Sequence, residues 1–146
     1  MSSLYTSPAF DVATLLQDLN VGVLGRDIFV GAMPQSTDRI NTDRCVAVYD
    51  TGGIRSLPIY QRDEMLVTFN IRGNPNDYND AYNFANTVKE AVNGCKPVNI
   101  NDKDYILFVL VGDINSLGLD DRDRPRLSFT LRIVRENFGN STRQEL

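Results

Sequence analysis

The chain has 146 residues and a mass of 16.4 kDa, with 15 Lys+Arg against 19 Asp+Glu for a formal charge of −4. That is the length of one ordinary domain, and the acidic balance excludes a general affinity for DNA or anionic membranes. There is no histidine, and Cys45 and Cys95 are the only cysteines. His-dependent triads, His metal sites, four-cysteine zinc sites and a disulfide framework are therefore all excluded within this chain.

The first predicted element is a helix over residues 8–19. Ser7 is placed to cap it and Pro8 suits its first position, while Val12, Leu15, Leu16 and Leu19 repeat as one apolar stripe before Asn20 and Gly22 stop it. Residues 27–32 and 44–49 read as short strands, separated by a polar, turn-prone connection at 33–43 in which Thr-Asp-Arg occurs twice, too closely spaced for a structural repeat. Asp50-Thr51-Gly52-Gly53 reads as a break, opening a second long connection to about residue 63. Residues 64–72 form the clearest strand, with Met65, Val67, Phe69 and Ile71 on one side and Glu64, Thr68, Asn70 and Arg72 on the other.

Residues 73–76 turn the chain into a second amphipathic helix. Asp77 is its expected cap, Ala81, Phe84, Ala85, Val88, Ala91 and Val92 its stripe, and Gly94 its stop. The run at 105–111, YILFVLV, is apolar without alternation, which predicts a central strand or one whose second face is covered by a loop or another subunit. A third long connection is expected at 112–126 and a last alternating strand at 127–135, followed by a polar tail at 136–146. The order α-β-β-β-α-β-β predicts an α+β fold: a mainly antiparallel sheet of about five strands with two helices on one face, in a single domain with its core at about 8–135. Three long connections in so small a chain point to functional loops.

No constellation carries catalysis. Asp120, Asp121 and Asp123 offer carboxylates, but Arg122, Arg124 and Arg126 interrupt them, and the glycine and glutamate of a calcium loop are missing. This run reads as a solvated or interface loop. The Asp50–Gly53 motif lacks the spacing and lysine of a phosphate loop and reads as a turn. Cys45 reads as a small core residue, Cys95 as partly exposed, and Tyr78 with Tyr82 as packing at a helix edge. Asn140-Ser141-Thr142 matches a glycosylation sequon that only a secreted eukaryotic chain would use. The start of the chain has no basic segment followed by an apolar one, so no signal peptide is expected; nor is a bilayer-spanning segment.

The strand VTFNIRG (67–73), the helix DYNDAYNFANTVKEAV (77–92) and the segment INSLGLDDRDRPRLSFTLRI (114–133), together with the amphipathic first helix, resemble the minor capsid and tail-terminator proteins of tailed bacteriophages, over roughly residues 8–135. The resemblance implies a non-enzymatic virion protein without cofactor or metal. It implies a homo-oligomer, a hexameric ring, that caps the head-proximal end of the tail tube and stops its polymerisation. The ring would contact the tail tube protein and the head–tail connector or neck proteins, and let DNA pass through its lumen unbound. It would reside in the phage tail or neck, after assembly in the host cytoplasm. Arg72, Gly73, Leu117, Gly118, Asp120 and Arg124 are the motif positions expected to shape loops or intersubunit contacts; Arg122 joins them through the charge run, and Arg122 and Arg124 are both expected to pair with carboxylates on a neighbouring subunit or the tube. A head-completion protein of the neck and a small-molecule-binding α+β domain are the alternative classes. Because no metal site is expected, thermal unfolding should coincide with and without EDTA, since losing a bound metal worth ~1 kcal/mol moves the midpoint of such a domain by several degrees.

Overall fold

The computed structural model describes residues 7–33, 43–57, 62–101 and 103–136. Helix α1 spans Pro8–Asp18; the Ser7 hydroxyl accepts the Phe10 N–H at 3.1 Å, as the sequence leads one to expect. Strands β1 (Ile28–Val30), β2 (Cys45–Leu57) and β3 (Arg62–Arg72) precede helix α2 (Tyr78–Val92), and β4 (Val98–Ile100), β5 (Lys103–Leu119) and β6 (Pro125–Glu136) follow it. They form one six-stranded sheet in the order β1-β2-β3-β6-β5-β4. Only the β1–β2 pair is parallel. The fold is α+β, as predicted, with both helices on one face of the sheet.

The core lies between that face and the helices. Val46 and Val48 of β2, Val67, Phe69 and Ile71 of β3, and Leu127, Phe129, Leu131 and Ile133 of β6 are all buried. Period-two alternation puts these side chains on one side of adjacent strands. Phe69 and Phe129 are directly paired across β3 and β6, with rings stacked at 4.6 Å. Helix α1 contributes Ala9, Val12, Ala13, Leu15 and Leu16, and α2 contributes Ala81, Ala85, Val88 and Val92. Phe84 and Ala91 pack at the margin of this core. Leu19, the last member of the predicted α1 stripe, is instead the residue that ends the helix, and it is exposed.

Two of the three predicted long connections are largely strand. β2 runs through Gly52 to Leu57, with register shifts between Asp50 and Gly53 and between Gly53 and Arg55. β5 runs through Gly112 and Gly118 to Leu119, again with shifts on the way. Gly52, Gly112 and Gly118 all have positive φ. Their freedom is used to absorb extra residues as bulges, so pairing resumes beyond them. Residues 34–42 of the first connection, the 137–146 tail and the sequon lie outside the described residues. β4 was not predicted; it is three residues long and alternation cannot be read over so short a run.

β5 is also not central. It lies between β6 and the short β4, which pairs only with Lys103–Tyr105. Farther along, the end of α2 takes over: Gly94 N–H donates to the Phe108 carbonyl at 2.9 Å, and Leu110 N–H donates to the Asn93 side chain at 3.0 Å. On the face away from the helices Val109 and Val111 remain exposed, which accounts for the absence of alternation in YILFVLV.

Among the described residues Asp11 is the most deeply buried of four buried charged side chains, with Arg72, Lys103 and Arg124. Asp11 of α1 is fully buried and accepts hydrogen bonds from the Tyr105 hydroxyl and, at 2.7 Å, from the Asn101 amide; an Arg135 guanidinium nitrogen lies 3.9 Å away. Burial and the hydrogen bond to Asp11 push the Tyr105 phenol well above its usual range, so it acts as a neutral donor. This cluster pins α1 to β5 and β6. Asp11→Ala should destabilise the fold by about 3–5 kcal/mol, because Arg135 and the Tyr105 hydroxyl would lose their buried partner. Urea unfolding of parent and variant measures it.

Candidate functional site

The turn joining β5 to β6 is built by one carboxylate. Asp120 Oδ1 accepts the backbone N–H groups of Arg122 and Arg124, each at 2.9 Å, while its Oδ2 accepts Arg124 Nε at 2.8 Å. The main chain closes with Asp120 N–H to the Arg124 carbonyl at 3.0 Å and Asp123 N–H to the Asp120 carbonyl at 3.1 Å. Aspartate favours such turns because its short side chain reaches backbone donors two residues on. The turn is then fastened to the rest of the protein. Asn76 N–H donates to the Asp123 carbonyl and Gly73 N–H to the Pro125 carbonyl, both at 2.9 Å, so the turn grips the β3–α2 junction. Arg124 Nη1 lies 3.2 Å from Asp43 Oδ1, and Arg72 Nε donates to the Asp43 carbonyl at 2.8 Å.

The predicted interface residues thus divide into two groups. Arg72, Gly73, Asp120 and Arg124 meet in this latch. Arg72 and Arg124 are 3% and 5% exposed, so Arg124, expected to pair with carboxylates of a neighbour, is instead buried within its own chain. Arg124 spends its guanidinium on Asp120 and Asp43 of its own chain. Gly73 is required by contact: a Cβ there would stand 2.4 Å from the Ala81 Cβ. Leu117, Gly118 and Arg122 are exposed on the arm and tip of the hairpin, beside Leu119, Asp121 and Asp123. Leu117 and Leu119 are the most exposed large apolar side chains among the described residues, at 51% and 58%. The tip therefore presents alternating charge flanked by two leucines, on a rigid base.

Asp43, which sequence reading left inside a connection, is the missing member of the latch. No spacing signal marks it, because its partners lie far along the chain, Arg72 at the end of β3 and Arg124 in the turn before β6. Asp120 is unsuited to a metal, since three donors already occupy its carboxylate, and among the described residues no group of three or more acidic or cysteine side chains is placed to hold one. Cys45 is buried, and burial pushes its thiol up despite the nearby Arg72 and Arg124 charges, which leaves it a poor nucleophile.

Two depressions of about 370 and 580 Å³ lie where the end of α1 meets α2, sharing Asn20, Val21, Arg44 and Phe84. Arg44 sits 5.0 Å above the Phe84 ring and 3.4 Å from Asp80. Neither depression gathers groups suited to acid–base or nucleophilic chemistry. Tyr78 and Tyr82 are stacked at 6.4 Å and exposed, so they do not pack into the core.

This is a protein that acts through shaped surfaces on a fixed scaffold and not through a reaction centre. The family model for bacteriophage tail terminator proteins matches residues 15–137, and the chain belongs to that family. It functions as a phage tail terminator, a structural and non-enzymatic component of the virion tail that interacts with tail and head-joining components. No curated protein matches the chain. No helix among the described residues is long and apolar enough to cross a membrane.

The latch has a pH signature. Burial, the largest single influence on the Asp120 carboxyl, pushes it up, but the Arg124 and Arg122 N–H groups and the Arg124 guanidinium together outweigh this and hold it below the ordinary carboxylate range. A carboxyl depressed on folding stabilises the fold at pH above its unfolded value, about 4, and loses that contribution as pH falls through its folded value. Asp120→Asn should therefore lower the melting temperature at pH 7 by several degrees, and the gap from the parent should narrow as the pH is taken from about 5 to about 2. Thermal melts of both proteins across that range check it.

Proposed function

We propose that the protein caps the head-proximal end of the tail tube as a ring of identical subunits, six in number, that stops tube polymerisation and offers its other side to the neck. The match to the tail terminator family across residues 15–137 carries this reading. The hairpin tip supports it. Protein interfaces combine apolar anchors with a polar rim, and the tip presents Leu117 and Leu119 beside Asp121, Arg122 and Asp123. Fixing the tip in advance removes the ordering cost that a mobile loop would meet on docking. Arg122 and Arg126 of the run are exposed while Arg124 is turned inward; Arg122 sits in the turn itself and is the one proposed to meet carboxylates on an adjacent subunit or the tube. The net acidity suits a lumen through which DNA passes without adhering.

Removing the gene from its phage should leave filled heads beside unattached tails of abnormal length, seen by negative-stain microscopy. Tails of normal length with defective heads would place the protein at head completion instead. Arg122→Glu should complement the deletion poorly while its circular dichroism matches the parent, because an exposed turn charge contributes less than ~0.5 kcal/mol to stability.

A further inference from the structure

The two sides of the protomer carry unfinished surfaces of opposite character. On the face of the sheet away from the helices, Arg132 of β6 stands in register between Leu66 of β3 and Val109 of β5. Val109 and Val111 are 39% and 48% exposed, and Arg132 Nε has no hydrogen-bond partner among the described residues. Of the acidic residues of this face, Glu64 stands one same-face step from Leu66 and diagonal to Arg132, while Asp104 and Glu136 pair in register at the end of the strands. The centre is thus an aliphatic strip around a cation.

On the helical side, the groove between the end of α1 and α2 is lined by Leu19, Val21 and Phe84, with Asp80 and Glu90 at its edge. Asp80 Oδ1 meets Arg44 at 3.4 Å, whereas its Oδ2, without a hydrogen-bond partner among the described residues, is closed off from solvent. Glu90 is exposed. This surface is an aliphatic and aromatic strip beside anions, with Arg44 offsetting only one of the two.

We infer that these faces fit each other on successive copies of the chain, the open sheet face of one subunit seating against the α1–α2 groove of the next, with Arg132 facing Glu90 of its neighbour. Complementary charge within matched apolar strips sets register and suppresses wrong pairings. Because the two patches lie on opposite sides of one sheet–helix layer, the contact is head-to-tail: each added copy leaves the same two faces free, and growth ends only when the rotation closes a ring. The inference rests on the ring reading above and assigns the surfaces that build it.

The test is sedimentation of the purified full-length protein over a concentration series, for the parent, Arg132→Glu, Glu90→Lys and the charge-exchanged double variant. The parent should self-associate, each single change should weaken association by about tenfold or more, and the double variant should recover much of the loss. Val109→Glu, at an exposed position, should weaken association in the same way with an unchanged circular dichroism spectrum, which keeps the test sound should Arg132→Glu unfold. A parent that stays monomeric throughout, single variants that associate like the parent, or a double variant no better than the singles would overturn the assignment. Variants that self-associate normally but no longer cap tails would show that the tube, and not a second copy, occupies this face. Tail length in the deletion phage reads the terminator role separately, so the two failures are distinguishable.

Discussion

The pairing of β3 with β6 is the constraint on which the rest of the molecule depends. It runs without a register shift from Arg62↔Glu136 to Arg72↔Arg126. A side-chain period of two means that one slipped residue would turn Val67, Phe69, Ile71, Leu127, Phe129, Leu131 and Ile133 away from the helices. The stacked Phe69 and Phe129 rings anchor the middle of the pair. With the centre fixed, irregularity is confined to the flanking strands: the bulges of β2 and β5 sit on either side of an unbroken ladder.

The same register decides what each end of the sheet can do. β2 returns on β3 at one end and β5 on β6 at the other, so the two hairpins point in opposite directions. The end of β3 therefore arrives beside the start of β6, and Arg72, Arg124 and Asp43 come within reach of one another. The opposite end carries Asp104, Arg135 and Glu136 near the Asn101 and Asp11 cluster that holds α1. The latch under the hairpin tip and the anchor of α1 thus draw on separate charge clusters at separate ends of the sheet.

How much of this was legible in the sequence depended on how local each cause was. Helix caps, the stripe of α2 and the alternation of β3 and β6 are short-range patterns, and the structure reproduces them. Gly52, Gly112 and Gly118 misled because glycine ends a strand and bulges it with the same freedom; the choice is made by the partner strand, which the local sequence does not contain. Arg122 and Arg124 look equivalent within one charge run, yet one is exposed and the other buried, because only Arg124 sits where the hairpin folds back over Asp43. Asp11 is hidden in an apolar stripe, and its partners Asn101, Tyr105 and Arg135 are far along the chain. The family was legible while the latch was not, since resemblance follows motifs and the latch follows tertiary contact.

The closeness of Gly73 to Ala81 has a consequence for how this protein can diverge. A Cβ at 73 would stand 2.4 Å from the alanine methyl and 3.3 Å from its Cα, so no side-chain rotation relieves the clash. Any larger residue at 73 forces the first turn of α2 away from the strand, and any larger residue at 81 meets the same backbone from the other side. The two positions are therefore locked to small residues together, while the solvent-facing Asp121 and Arg122 a short distance away carry no such restriction; Asp123, at φ 58, is limited in another way, to residues that tolerate a left-handed backbone. The exposed turn can therefore change at its side chains while the close packing of chain beneath it stays as it is.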